Sequence, residues 1–230
     1  MKTVEALYEV LALALTDKGM PENCVQILRS GKRQEAKKLV SMVDCVDVVI
    51  PRGGRSLVEF IKSEAKAKER LLLQVISKDL YNNDLINSFI KIKPNQKLKN
   101  REDIKGYIAK NNNEVTAIIL ETRAPDGYSG EIKILVGIDT KGFILGTRVV
   151  KHQETPGLGD YIDISKSDWI NIFTYSSLEN TTKKEWAVQK DQGKFDYVSG
   201  ATITARAVVT AINESLNYFK ENKLKMGIDV

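Results

Sequence analysis

The residue types with the most chemical potential gather ahead of the last helical stretch. Asp196-Tyr197-Val198-Ser199-Gly200-Ala201-Thr202-Ile203-Thr204 sets three hydroxyls, Ser199, Thr202 and Thr204, around Gly200 at a helix entrance. Gly200 permits a tight backbone approach. The first N–H groups of a helix lack internal partners and lie at the positive end of its dipole, so they attract an anion, a phosphate above all. Two readings stay open here. Thr202 or Thr204 caps the helix, which spacing alone favours, or the loop holds a phosphate-bearing ligand. A second cluster, His152-Gln153-Glu154-Thr155-Pro156-Gly157-Leu158-Gly159-Asp160, directly follows a strand pattern. Its proline and two glycines make demands on the backbone, and it reads either as a plain turn or as the wall of a site. A third loop, Ala124-Pro125-Asp126-Gly127-Tyr128-Ser129-Gly130, is a turn with one exposed aromatic. Metal chemistry has little material: His152 is the only histidine, and Cys24 and Cys45 form no CxxC pair and sit in apolar surroundings.

These loops need a scaffold, and the hydropathy pattern supplies one. From about residue 105 the chain reads as strands over 107–110, 115–121, 131–138 and 143–151, with turns at 111–113 and 139–142. Ile132, Ile134 and Val136 alternate with period two. A closing helix over 205–220 carries Val209, Ile212, Leu216 and Phe219 at spacings of three and four. An α+β architecture follows: an antiparallel sheet with flanking helices. Before it, residues 1–63 read as a small α/β segment with a parallel-sheet pattern, with helices over 4–15 and 33–43, strands over 24–28 and 47–50, and a helix opened by Gly53-Gly54. Lys18-Gly19 ends the first helix. A charged helix over 62–76 joins the two regimes.

The chain has 230 residues, 42% hydrophobic and 28% charged, with a net charge of +5. That is ordinary for a globular protein and argues against a mainly disordered one. No apolar run approaches the ~18 residues of a membrane-spanning helix, and the early apolar stretch 10–15 makes no convincing signal peptide. Lysines and arginines are spread among acids, so nucleic acid is not an expected partner.

Taken in order, Leu80-Tyr81-Asn82-Asn83, the 124–130 loop, Leu145-Gly146-Thr147-Arg148-Val149, the 154–160 loop, and Ser199 to Thr204 running into Ala205-Arg206-Ala207-Val208-Val209 resemble the G subunit of the Rnf electron-transport complex. That flavoprotein is itself related to the C subunit of the sodium-pumping quinone reductase, and the resemblance spans about residues 64–230, which it makes an FMN-binding domain. It implies an electron-transfer subunit of a membrane ion-translocating complex, carrying FMN covalently. In such proteins a flavin transferase moves the FMN moiety of FAD onto a threonine, forming a phosphodiester. The acceptor implied here is Thr204, with Thr202 the alternative or a support for the loop. Ser199, Gly200 and Ala201 shape the phosphate loop, while Glu154, Thr155, Gly157 and Leu158 are assigned to the ring or ribityl chain. Tyr128 either packs on the cofactor or plugs the sheet. Electron relay needs no general acid or base, so no catalytic residue is assigned. The implied partners are the other subunits of the complex and the transferase.

The family also starts with a membrane helix, which implies the periplasmic face of the inner membrane. This sequence carries no such anchor or export signal and, taken literally, reads as cytoplasmic. In the anchor's place, residues 5–63 resemble part of gamma-glutamyl phosphate reductase, through Gly19-Met20-Pro21-Glu22, Val25-Gln26, Asp47-Val48-Val49-Ile50-Pro51-Arg52-Gly53-Gly54 and Leu57. The portion bearing that family's nucleophilic cysteine is not matched. Two other functions therefore stand beside the first: a fragment of an NADPH-dependent gamma-glutamyl phosphate reductase, and a non-redox module for a phosphate ligand.

Overall fold

The computed structural model of the protein describes residues 2–20 and 67–228. The chain divides into two compact units, Met1–Ala65 and Lys66–Val230. In the first, a helix α1 (Lys2–Asp17) covers the helix expected over 4–15. Its end is closed by Gly19 at φ +74, whose N–H donates to the Thr16 carbonyl, while the Met20 N–H donates to that of Leu15. This is the left-handed stop that glycine favours. The strands and helices expected between 21 and 61, the motif around Pro51, and both cysteines lie outside the described residues.

The second unit is built on five antiparallel strands in simple sequential order: β1 (Phe89–Ile92), β2 (Ile104–Asn111), β3 (Glu114–Ala124), β4 (Ile132–Asp139) and β5 (Ile144–Lys151). Four of them fall where alternation predicts strands. The first, β1, is an addition: only four residues long and half exposed, it has too little apolar pattern to stand out. The β2–β3 turn places Asn112 and Asn113 at φ +50 and +70, the left-handed pair that a two-residue hairpin requires. Near the centre of the sheet, Ile118 and Ile119 on β3 pair with Ile138 and Gly137 on β4.

Both faces of the sheet are buried. On one, Ile118, Leu120, Ile132, Ile134, Val136 and Ile138 pack with Val208, Ile212 and Phe219 of the long helix α3 (Thr202–Asn222). On the other, Tyr107, Ala117, Ile119 and Leu135 pack with Leu72, Val75, Ile76, Tyr81 and Leu85. The charged helix expected over 62–76 is shorter in its described part: α2 (Ala67–Leu72) stops at Leu72. Its continuation is a turn because Val75 and Ile76 must lie flat on the sheet. A Cβ on Gly137 would come within 2.6 Å of Val75 Cγ1, and one on Gly146 within 2.4 Å of the Val75 carbonyl oxygen. Two glycines on neighbouring strands thus admit this segment.

Between β5 and α3 the chain runs through short 3-10 turns at Asp160–Ile162, Asp168–Phe173 and Gln189–Asp191. Edge-to-face and tilted contacts join Tyr161, Trp169, Phe173, Phe195 and Trp186 in a chain, with ring centroids 4.8–5.4 Å apart. That aromatic wedge substitutes for regular secondary structure and carries the chain back to the start of α3. Among the described residues no helix is long and apolar enough to cross a membrane.

Candidate functional site

The site grows from the start of α3. Ala201 is the N-cap residue and gives no side-chain cap. Thr202 is already helical, and it forms no side-chain hydrogen bond among the described residues. The capping expected of Thr202 or Thr204 is therefore absent, and the helix starts three residues earlier than the apolar spacing suggests. A turn closed by the Ala201 N–H on the Val198 carbonyl, 3.0 Å, and by Gly200 at φ +89 delivers the chain into the helix. The first-turn N–H groups receive no cap from a side chain and lack intrahelical acceptors by geometry.

Thr204 is 1% exposed, and its hydroxyl donates to Glu154 Oε2. Glu154 is 3% exposed. Its other oxygen, Oε1, accepts from the Ser129 backbone N–H at 3.0 Å, and its own N–H donates to His152 Nδ1 at 3.2 Å. Glycines make room for this carboxylate. A Cβ on Gly159 would lie 3.0 Å from Glu154 Cβ and Oε2 and 3.3 Å from Thr204 Oγ1, and one on Gly127 would lie 2.9 Å from Glu154 Oε1. The three loops singled out in the sequence, far apart along the chain, thus meet at one buried carboxylate.

The 154–160 loop is a compact turn. The Thr155 carbonyl accepts from the N–H groups of Leu158, Gly159 and Asp160, at 3.1, 2.9 and 3.3 Å. Asp160 Oδ1 accepts from the Gly157 N–H at 2.8 Å. Gly157 sits at φ +75 on the exposed tip. Leu158 is exposed, and its Cδ1 would be 3.3 Å from a Cβ on Gly200, so the glycine lets the two loops close on each other. Behind them, Ser167 Oγ donates to the Tyr161 carbonyl at 2.7 Å, and Trp169 Nε1 donates to the Asp196 carbonyl at 2.9 Å. The Tyr161 hydroxyl is buried, and among the described residues none meets it in full hydrogen-bond geometry, the Val198 backbone being the group that faces it. Burial pushes it up to about 12; the Val198 backbone opposes the rise, and the Asp196 and Glu154 charges add to it.

Of the residues expected to form the site, the structure brings Thr204, Glu154, Gly200 and Leu158 together. The Thr155 and Ser199 side chains are exposed, and Ala201 is buried under the loop. Tyr128 does not plug the sheet, since it is 67% exposed. Glu154 touches the Thr204 hydroxyl itself. Gly127, Ser129, Gly159 and Tyr161 complete the site; the glycines carried a signal as turn formers, whereas nothing in the local pattern marked Ser129 or Tyr161. One helical turn on, Arg206 grips Asp191 through two hydrogen bonds of 2.6 Å, tying the 3-10 turn to α3. These bonds hold the Asp191 carboxyl below its usual range and the Arg206 guanidinium above its own.

The donor set suits a phosphorylated flavin. A hydroxyl lies on the first turn of a helix whose N-cap residue gives no side-chain cap, and exposed Leu158 offers apolar surface against Gly200 just before it. Residues 127–217 match the family model described as an FMN-binding domain, which makes the second unit a domain of the flavin-binding class. The chain is 47% identical over 154 residues to the G subunit of the ion-translocating oxidoreductase complex of Shewanella loihica, covering 67% of this chain and 73% of that protein. It is 50% identical over 151 residues to the G subunit of the same complex in Haemophilus influenzae, covering 66% and 72%. The chain belongs to the family of G subunits of the ion-translocating oxidoreductase complex. Among solved structures, Shewanella oneidensis NqrC aligns with 85% of this chain and 98% of its own, at 20% identity and a TM-score of 0.43.

Proposed function

We propose that the protein is an electron-transfer flavoprotein subunit of an ion-translocating oxidoreductase complex, and that it carries FMN through a phosphodiester on Thr204. The single observation that supports the attachment point is the Thr204 hydroxyl, held on the first turn of α3 by a hydrogen bond to Glu154. A phosphate esterified there would share the first turn of α3, where uncapped helix N–H groups and the positive end of the dipole favour an anion. Ser199, Gly200, Ala201 and Thr202 would frame the phosphate, with Thr155, Gly157 and Leu158 beside the ribityl chain and ring. When bound, the isoalloxazine supplies the electron chemistry, and the protein orients it and tunes its potential. Other subunits of the complex are the working partners, a flavin transferase is the partner in maturation, and the site faces the periplasm at the inner membrane. In this reading residues 64–230 are the flavin unit, and residues 1–63, the segment resembling part of gamma-glutamyl phosphate reductase, take no catalytic part in it.

The test is intact-mass analysis of exported protein co-expressed with a flavin transferase. One added FMN group, retained after acid precipitation and mapped to the 195–206 peptide, is expected, and Thr204→Val should carry none. A colourless pellet with yellow supernatant from the wild type would show reversible binding and refute the covalent link.

A further inference from the structure

A buried cation in the second unit lacks an acceptor, and it lines a cavity. Arg123, near the end of β3, has a side chain only 11% exposed. Its Nε is buried without a partner, and the two carboxylates beside its terminal nitrogens, Glu131 at 3.7 Å and Glu121 at 3.9 Å, lie beyond hydrogen-bond reach. Those charges offset the guanidinium but leave its five N–H donors without an acceptor among the described residues. A buried donor left unsatisfied opposes folding, the more so when it is charged.

The cavity, about 310 Å³, lies between α3 and the segment joining β1 to β2, at the small end of the range for ligand sites. Pro125, Ala207 and Ala211 give it apolar wall, and Lys97, Lys99 and Arg206 bring three further cations. Lys97 is engaged by Glu221 and Arg206 by Asp191. Lys99 is exposed and forms neither hydrogen bond nor ion pair among the described residues. Asp126 and Glu214 also line the cavity. Asp126 is exposed and Glu214 half-buried, so water screens them better than it screens Arg123.

We infer that this cavity is an anion site whose ligand carries a phosphate group on a compact apolar body. A phosphate presents acceptor oxygens in several directions, which suits donors arriving from a strand (Arg123) and from a loop (Lys99); the two oxygens of a carboxylate share one plane. The apolar wall gives the rest of the ligand a surface to pack on. None of the lining residues is among those assigned to the flavin, although Ile203 and Arg206 bring the cavity within about a turn of Thr202 on α3. The site therefore stands independently of where the flavin is attached. Soluble phosphate esters and phospholipid headgroups both present this chemistry.

The test is calorimetric titration of the full chain, with and without its flavin, against glycerol phosphate, together with flotation on phosphatidylglycerol vesicles. Saturable binding is expected, equal in the flavin-bearing and flavin-free chains. Arg123→Gln should weaken it roughly 30-fold or more, as removal of a buried charged partner does. Arg123→Lys keeps the charge without the planar fork and should fall between the two. Lys99→Glu, on the exposed rim, should fold whatever the fate of Arg123→Gln, and should weaken binding about fivefold. Lys184→Gln, exposed and outside the cavity, should change nothing. Glycerol phosphate binding weakened in the cavity variants supports a soluble ester; vesicle binding weakened in them, with none of the ester, supports a lipid headgroup. No binding of either probe overturns the inference, as does binding that a folded Arg123→Gln or Lys99→Glu chain retains at wild-type strength. Binding confined to the flavin-free chain overturns it too, because the cavity would then belong to the flavin's own site.

Discussion

Gly159 offers a direct test of how tightly the site is built. Its backbone is right-handed helical, at φ −87 and ψ −17, so alanine fits without backbone strain and restricts the unfolded chain, a gain of about 0.4–1 kcal/mol. Against that stands crowding. The new methyl would lie 3.0 Å from Glu154 Cβ and Oε2 and 3.3 Å from Thr204 Oγ1, some tenths of an ångström inside the ~3.5–4.0 Å of an optimal carbon contact. Overpacking of this kind opposes folding by about 1–3 kcal/mol. The midpoints of the two ranges leave a net loss of roughly 1.3 kcal/mol, which for a chain of this size lowers the melting temperature by about 3–5 °C. Relief of the clash must shift Thr204, the proposed acceptor, so the rate of flavin attachment should fall about tenfold, in line with the sensitivity of reacting groups to small misplacements. Gly227→Ala, outside the site, is the matched control. Its φ of +76 makes alanine strained by about 1–2 kcal/mol, yet nothing lies within 4 Å of the new methyl. It should melt lower but accept flavin at the normal rate. Thermal melts and time-resolved intact mass on the two variants separate strain from crowding. A Gly159→Ala protein that melts at or above wild type and takes flavin equally fast would refute the geometry described.

Further outcomes follow from the surrounding structure. Tyr161→Phe removes a buried hydroxyl that no described residue meets in full hydrogen-bond geometry, so flavin-free protein should melt at the same or a slightly higher temperature; a loss beyond about 1 kcal/mol would point to a full hydrogen bond there. The same hydroxyl sits at about 12, above its usual 10.0. Its neutral form is favoured in the fold, so that stability is intact below about pH 10 and lost as pH rises toward 12. Denaturant melts across that window should lose part of their pH slope in Tyr161→Phe. Gly146→Ala puts a methyl 2.4 Å from the Val75 carbonyl oxygen and should destabilise by about 1–3 kcal/mol while leaving flavin attachment at the wild-type rate in melts and mass assays.

Period-two alternation over residues 131–138 places Ile132, Ile134 and Val136 on one face, and the structure packs all three against α3. The spacing of Val209, Ile212, Leu216 and Phe219 marks the helix face that meets them. Such patterns are local: they reflect the repeat of a strand or helix, and the chain alone determines them. The ordered motifs from residue 80 to residue 209 likewise sufficed to indicate the family. Where helices begin and end is less local. The spacing of three and four puts the start of α3 at 205, yet Thr202 is helical, with Ala201 buried against the core. The strand β1 becomes one only through pairing with β2. The joining helix ends at Leu72 because Gly137 and Gly146, more than sixty positions away, admit Val75 onto the sheet.

The site divides in the same way. The chain by itself determined which hydroxyls stand at a helix entrance and which loops carry glycines. Only the tertiary structure decided that Thr204 turns inward to Glu154, fifty positions earlier, and that Ser129 and Gly127 close around that carboxylate. Burial selects this arrangement: a carboxylate withdrawn from water must find donors wherever the fold brings them, and no local spacing rule records where those donors come from.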